Sequence, residues 1–301
     1  MCKFRNLLWV LIASLGLLSC NYPGFADLNT PPGPTATLPP PTSTPIPLAA
    51  HINGEGITLE FFEAEIARFE QEQTRLGIDL ATYPNYREKV LWALIDLKLL
   101  AQGAREAGFE GGQDLIKARI TDIQSSLGSQ DAFETWLVEN LYSLNSFRSA
   151  LEEEILAARM VASITEAVSR SSEQAHARHI LVATQDEAEN LRAQIMGGKD
   201  FGEIARGYSI DASTRPVGGD LGWFPEGYLL WPEVDLAVFE LAPGELSQVI
   251  QTELGYHLVE LLERGEHQLD YDAWLFVQEN VVQDWITEQR ELKDIETFIE
   301  S

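Results

Sequence analysis

The stretch GGDLGWF, Gly218–Phe224, places three glycines around one carboxylate and ends in two aromatic residues. It is not a phosphate-binding loop, because no Lys-Ser or Lys-Thr pair opening a helix follows it. It is not a metal loop, because Asp220 is its only side chain of the metal-ligand type. We therefore interpret its glycines as a tight turn, with Asp220 bonding backbone amides of that turn, in support of a site formed elsewhere in the chain.

The residues on either side of this stretch alternate between strand and helix patterns. ARHILVA, Ala177–Ala183, is a β-branched and aliphatic run, and an amphipathic helix follows it over about Asp186–Met196. A second short helix, DFGEIARGYS, precedes the glycines, and the helix PEVDLAVFEL follows them. PGELSQVIQ and GYHLVELLER are strand-like, with Gly255 opening the final strand. This order predicts a small α+β domain with helices packed on an antiparallel sheet.

Four motifs of this region occur in order: ARHILV, GGDLGWF, FELAPGELSQVI and GYHLVEL. Together they resemble the parvulin family of peptidyl-prolyl cis-trans isomerases, or rotamases. The resemblance implies a four-stranded antiparallel sheet with helices over residues 173–266. It also implies rotation of X-Pro bonds in unfolded chains (EC 5.2.1.8) without a metal or a cofactor. Such a site needs only to bind the twisted amide better than the planar one.

The parvulin resemblance assigns a polar and an apolar set of site residues. His179 in the first strand, His257 in the last strand and Asp211 in the loop SIDAS would form a polar floor, because a carboxylate fixes the tautomer of a neighbouring imidazole. The alternative is that the two histidines only hold the sheet together. In the apolar set, which would grip the prolyl ring, the resemblance assigns Leu229 or Leu230, Val234 and Phe239, and Phe224 is expected to line the same socket.

Three departures from the parvulin pattern qualify this assignment. Val234 stands where the family has a phenylalanine, which leaves a shallower pocket. GYLLWPEV has one residue more than the usual turn, so the choice between the two leucines stays open. The loop Ala183–Glu187 has no Lys or Arg, so selectivity for phosphoserine-proline is not expected.

Residues 51–172 open on a short strand-turn, in which Ile52 and Ile57 flank an Asn-Gly-Glu-Gly turn, and helical patterns follow it. Thr58 is a plausible N-cap of the first helix. The segment LIDLKLLAQGAREAGF, Leu94–Phe109, resembles the N-terminal helical domain of SurA-like chaperones. An amphipathic helix fills most of residues 267–301, and an apolar stripe of that length must be covered. The SurA-like resemblance implies that it packs on the helical domain, so that the parvulin domain is inserted between the two. A dimerisation helix is the alternative.

The N-terminus has the pattern of a bacterial lipoprotein signal. Lys3 and Arg5 precede an apolar run, Leu7–Leu18, that is too short to span a bilayer as a mature helix. The run ends in LLSC, which resembles a lipobox. This resemblance implies cleavage between Ser19 and Cys20, removal of residues 1–19 as the signal peptide, and lipidation of Cys20. The alternative is an ordinary signal peptide or an uncleaved anchor.

Residues 20–50 form a Pro- and Thr-rich segment with no periodic apolar face, which is typical of an extended tether. The chain is therefore expected outside the cytoplasm, lipid-anchored to the outer face of the cell membrane. Its formal charge of −26 argues against a nucleic-acid partner.

Three functions remain open at this point. The first is an isomerase and foldase acting on unfolded or nascent secreted polypeptides. The second is a non-catalytic holdase chaperone that uses the parvulin fold to bind peptides, and Val234 favours it. The third is an assembly or scaffold lipoprotein of a surface complex.

Overall fold

The computed structural model describes residues 46–299, and these form two compact units. One, the helical unit, comprises residues 46–164 and 283–299. The other, the sheet unit, comprises residues 165–282. The predicted signal peptide over residues 1–19, the lipidation site Cys20 and most of the predicted tether lie outside the described residues.

The described residues contain seven strands and nine α-helices. In chain order they are β1 (Leu48–Ile52), β2 (Glu55–Thr58), α1 (Leu59–Arg75), α2 (Tyr86–Glu106), α3 (Gln113–Leu127), α4 (Gln130–Glu139), α5 (Leu144–Glu166), β3 (Ser171–Val182), α6 (Gln185–Met196), α7 (Phe201–Tyr208), β4 (Asp220–Phe224), α8 (Pro232–Glu240), β5 (Ile250–Thr252), β6 (Gly255–Gln268), α9 (Tyr271–Leu292) and β7 (Ile295–Thr297). In this part of the chain every helix is too short or too polar to span a bilayer.

The helical unit joins the two ends of the described chain. Thr58 caps α1, because its hydroxyl accepts a hydrogen bond from the amide of Phe61 at 3.2 Å. Strand β1 pairs with β2 on one side and with β7 on the other, both antiparallel. Arg290 of α9 donates two hydrogen bonds to Asp96 of α2, at 2.8 and 2.7 Å. The C-terminal residues therefore complete this unit.

The sheet unit contains a four-stranded antiparallel sheet in the order β4-β3-β6-β5. This confirms the predicted α+β class, with helices on an antiparallel sheet. The predicted strand PGELSQVIQ is mostly irregular, because only Ile250–Thr252 and an isolated bridge at Leu246 pair with β6. The sheet is therefore long in its two central strands and short at both edges.

The two faces of this sheet are covered by different helices. Side chains alternate along a strand, so Ile180 and Val182 of β3 pack on one face with residues of α6 and α7. Ala175 and Ala177 point to the other face and pack with residues of α8. His179 continues this second series at the next alternate position, which brings it to the α8 face.

The glycine stretch forms the turn into edge strand β4. The amide of His179 donates to the carbonyl of Gly219 at 2.8 Å. Gly219 has φ +84°, and a Cβ at this residue would overlap the carbonyl oxygen of His179. Asp220 accepts from the amide of Gly222 at 2.9 Å and contacts Nε2 of His176 at 2.8 Å. The bond to His176 was not foreseen from the sequence.

Substitution of Gly219 by alanine should destabilise the sheet unit more than the same change at Gly222. Both residues have positive φ, which costs an alanine about 1–2 kcal/mol. Nothing lies within 4 Å of a Cβ at Gly222, whereas Gly219 abuts the backbone of His179. We expect Gly219→Ala to lower the urea midpoint of unfolding clearly further than Gly222→Ala, as followed by tryptophan fluorescence. Equal midpoints for the two variants would show that the close approach of Gly219 to the His179 backbone does not limit which side chain the sheet unit tolerates at residue 219.

Candidate functional site

Two histidines lie side by side on the α8 face of the sheet. The rings of His179 in β3 and His257 in β6 stack with centroids 5.7 Å apart and an angle of 24° between their planes. Strand register explains the contact, because β3 pairs with β6 and aligns Leu181 with His257 and His179 with Val259. His257 has no exposed surface, whereas His179 keeps 8%. Of the pair, His179 is thus the ring that solvent can reach.

Asp211 and Thr214 fix the orientation of His179. Nε2 of His179 lies 2.8 Å from Oδ2 of Asp211 and 2.9 Å from Oγ1 of Thr214. Thr214 donates its own hydroxyl proton to Oδ2 of Asp211 at 2.5 Å. Both groups therefore present acceptors to His179, so its Nε2 carries a proton.

Asp211 is held in its charged form. Burial raises its pKa, but hydrogen bonds from Ser213 and Thr214 outweigh that effect and hold the pKa well below its usual range. The second carboxylate oxygen accepts from the amide of Ser213 at 3.0 Å and from its hydroxyl at 2.6 Å. Neither hydroxyl residue was predicted from the sequence. The signal for them was an Asp followed closely by Ser and Thr, the pattern of a side-chain-capped turn.

His257 is neutral and is bonded at one nitrogen. Its Nε2 lies 2.9 Å from the hydroxyl of Thr252, which also accepts from the amide of Leu254 at 3.2 Å. That hydroxyl is therefore free to donate to Nε2, which leaves the proton of the neutral ring on Nδ1. Among the described residues this buried Nδ1 has no partner. Burial, followed by the proximity of His179, lowers the pKa of His257 to about 4.

An apolar cluster continues the same face of the sheet beyond the histidines. Phe224 and Val234 are almost fully buried in it, and Leu229 and Phe239 pack against it half-buried. The rings of Phe224 and Phe239 meet edge to face at 6.1 Å. Leu230 is 71% exposed and is not part of the cluster. Of the two candidate leucines, the structure brings Leu229 to it.

A buried carboxylate holds the loop that carries Leu229. Asp235 of α8, only 4% exposed, accepts from the amides of Gly227 at 2.7 Å and Leu229 at 2.9 Å. The loop also brings Tyr228 and Trp231 to the cluster, half-buried. Asp235 was not predicted as a site residue, because the pattern of a helix start does not reveal which backbone amides its side chains reach.

The site combines an oriented imidazole with an apolar wall. Over residues 46–299 no group of three His, Cys, Asp or Glu side chains is arranged to hold a metal ion. The polar groups can accept or donate hydrogen bonds to a carbonyl, and half-buried aromatic and aliphatic side chains can contact a small apolar ring.

Residues 161–263, which contain this whole site, match the family model of the PPIC-type PPIase domain. The sheet unit is therefore a domain of the parvulin class. Residues 7–161, just over half of the chain, match the model of the SurA-like N-terminal domain. The chain belongs to the family defined by that domain, with a PPIC-type domain following it. Both resemblances drawn from the motifs are confirmed.

Known proteins similar to this chain include foldases named PrsA and chaperones named SurA. The chain is 31% identical over 187 residues to the foldase protein PrsA of Caldanaerobacter subterraneus subsp. tengcongensis, covering 58% of this chain and 56% of that protein. It is 36% identical over 148 residues to the chaperone SurA of Ralstonia nicotianae, covering 43% of this chain and 29% of that protein. The crystal structure of PrsA from Bacillus anthracis is 22% identical, with 67% of this chain and 93% of that chain covered and a TM-score of 0.41.

The chain matches only part of the length of these curated relatives. The matched share is 56% of the Caldanaerobacter protein and 34% of the PrsA of Clostridium tetani. The similarity therefore shows the family of each domain and does not extend over the full length of these relatives.

The depressed pKa of His257 can be measured directly. We expect its imidazole nitrogens to titrate near pH 4 in ¹H–¹⁵N spectra, with His257→Gln identifying the resonances. Because the folded pKa lies below the unfolded value of about 6.5, His257 lowers the free energy of unfolding as pH falls from 6.5 to 4. A titration midpoint above pH 6 would contradict the buried, neutral assignment.

Proposed function

We propose that the chain is a peptidyl-prolyl cis-trans isomerase and foldase that acts on unfolded extracytoplasmic polypeptides. The observation that carries the proposal is the contact of His179 with Asp211 at 2.8 Å, on the face of the sheet that also bears the apolar cluster. The match to the PPIC-type domain over residues 161–263 supports it. The names of the relatives, foldase and chaperone, support unfolded chains as the substrates.

The reaction requires binding energy rather than covalent chemistry. Rotation about an X-Pro bond crosses a barrier of about 18–20 kcal/mol, because amide resonance is lost in the twisted state. A site accelerates rotation when it binds the twisted amide more tightly than the planar one. No nucleophile is needed for this step. The half-buried side chains Leu229, Trp231 and Phe239 would contact the prolyl ring while the carbonyl turns.

The three polar residues would divide the remaining work. His179 keeps 8% of its surface exposed and His257 keeps none, so His179 is the residue proposed to face the rotating carbonyl. Asp211 fixes its tautomer, and fully buried His257 supports its ring by stacking. Asp211 and His257 are accordingly proposed as positioning residues. A preorganised polar group of this kind stabilises shifted charge without reorganising.

The polar floor can be tested with a matched pair of aspartates. We expect Asp211→Asn to lower kcat/KM for an Ala-Xaa-Pro-Phe peptide about tenfold, the equivalent of one net hydrogen bond. Asp220→Asn is the control, because Asp220 bonds a different histidine, His176, at the same distance of 2.8 Å. It should retain activity within about twofold. Full activity in both Asp211→Asn and His257→Ala would refute the assigned floor.

A non-catalytic holdase is the second candidate. Val234 favours it, because parvulins have a phenylalanine at this position and valine leaves a pocket with less aromatic surface. Val234 is also only 2% exposed, so little of its side chain can contact a substrate. Absence of any acceleration by the native protein at micromolar concentration, with suppression of citrate synthase aggregation, would establish the holdase instead.

We propose further that the chain is anchored to the outer face of the cell membrane through a lipid on Cys20. The basic residues Lys3 and Arg5, the apolar run Leu7–Leu18 and the motif LLSC support this. The Pro-rich residues that follow would serve as a spacer between lipid and folded units.

Detergent partition tests the anchor. The protein expressed in a bacterial host should enter the Triton X-114 phase, and Cys20→Ser should move it to the aqueous phase or retain the precursor. Cys2→Ser is the control, since Cys2 belongs to the predicted signal peptide, and it should leave partition unchanged. Unaltered partition of Cys20→Ser without any change in the size of the protein would favour an uncleaved anchor.

A further inference from the structure

The helical unit contains a cleft of 1140 Å³ that the isomerase site does not use. Its walls come from β2, α1, α2, α4 and α5, all within residues 56–154. Ligand pockets of drug-sized molecules measure about 300–1,000 Å³. The cleft therefore has room for several residues of an extended polypeptide.

One wall of the cleft is aromatic and aliphatic. Trp136 and Tyr142 stack with centroids 6.4 Å apart, and the guanidinium of Arg68 lies 3.9 Å from the centre of the Tyr142 ring. Phe61 and Phe69 line the cleft from α1, and both are half-buried. Such a surface suits apolar side chains of a bound segment.

The charged groups of the cleft pair almost completely with one another. Its three cations each contact a carboxylate: Arg68 with Glu65, Arg75 with Glu72, and Lys98 with Glu153 at 3.1 Å. The fourth carboxylate of the lining, Glu154, has no hydrogen bond or ion pair among the described residues. Among the described residues, Glu154 is thus the one carboxylate of the cleft lining that has no ion pair.

The neighbours of Glu154 disfavour its negative charge. Glu65 of α1 repels it, and Arg119 of α3 attracts it. The ring of Tyr142 lies close enough to Glu154 for the two groups to interact. Arg68 is already bonded to Glu65 and to the carbonyl of Asn140 at 2.8 Å. Burial and then repulsion by Glu65 raise the pKa of Glu154 to about 7. A cation placed at Glu154 would remove this disadvantage.

We propose that the cleft binds an unfolded polypeptide segment in which a lysine or arginine is flanked by apolar residues, with the basic side chain at Glu154. The charge complementarity at Glu154 selects this occupant over a purely apolar segment. The inference goes beyond the proposed isomerase function and concerns a site of the other unit.

Peptides without proline test this site separately from isomerisation. The probe is a fluorescein-labelled, terminally capped nine-residue peptide with a central Lys between Leu and Phe, and its matched partner has Gln at the centre. We expect the full-length protein to bind the Lys peptide about fivefold more tightly by fluorescence anisotropy, as for a partly buried ion pair. From pH 6 to pH 8 the Lys peptide should bind more tightly as Glu154 ionises, and the Gln peptide should not.

Variants on α5 provide the matched comparison. Glu154→Gln keeps the shape of the side chain and removes its charge, so the variant should bind the Lys peptide and the Gln peptide with about equal affinity. Glu152→Gln, two residues earlier on the same helix and outside the cleft lining, should retain it. Equal binding of the two peptides by the native protein, or an unchanged preference in Glu154→Gln, would overturn the proposal. Glu154→Gln could instead convert a dimer of the protein to a monomer and leave the peptide preference unaltered. That result would show that the cleft binds a second copy of the chain, and it would also overturn the proposal. Loss of isomerase activity alone would leave these results unaffected.

Discussion

The antiparallel pairing of β3 with β6 is the interaction on which the sheet unit depends. It runs from Ser171 opposite Gln268 to Val182 opposite Tyr256, with one irregularity near His176. Because side chains alternate along both strands, this register decides at once which residues form the two cores and which face receives the histidines. A slip by one residue would send His179 to the opposite face, among the residues that α6 and α7 cover. The close fit of Gly219 against His179 adds a second restraint on the same register.

Much of this arrangement was predictable from the sequence. The strand motifs and the glycine turn follow from periodicity and residue type. The pair of histidines and the carboxylate of Asp211 follow from the parvulin resemblance. The hydroxyl partners Thr214 and Thr252 do not, because Thr214 reaches His179 through the shape of an irregular loop and Thr252 reaches His257 from the end of edge strand β5. The choice between Leu229 and Leu230 was open for the same reason. The side chains of consecutive residues in an irregular loop do not alternate in a fixed way. Here Asp235 accepts a hydrogen bond from the amide of Leu229, and the side chain of Leu229 is the one that packs inward.

The two imidazoles of the site differ in environment although they are in contact. His179 is tied to a carboxylate that stays charged, whereas His257 is tied to a hydroxyl and has no exposed surface. Two like residues thereby differ in hydrogen-bond partner and in exposure, which is how a fold assigns different roles to identical side chains. The same physics acts in the helical unit. There, Glu65 has a guanidinium partner, whereas Glu154 has no ion pair among the described residues, and burial together with repulsion by Glu65 raises the pKa of Glu154 to about 7.

The pairing of β1 with β7 has a consequence for the order of folding. The two strands lie more than two hundred residues apart in the chain, and Arg290 reaches Asp96 across a similar separation. During synthesis from the N-terminus, every strand of the four-stranded sheet leaves the ribosome before β7 does. The sheet unit can thus acquire its own long-range contacts early, while the three-stranded sheet of the helical unit waits for the last residues of the chain. A chain truncated near its C-terminus would lose an edge strand of the unit that contains its N-terminal residues, and would keep the four strands around the histidines.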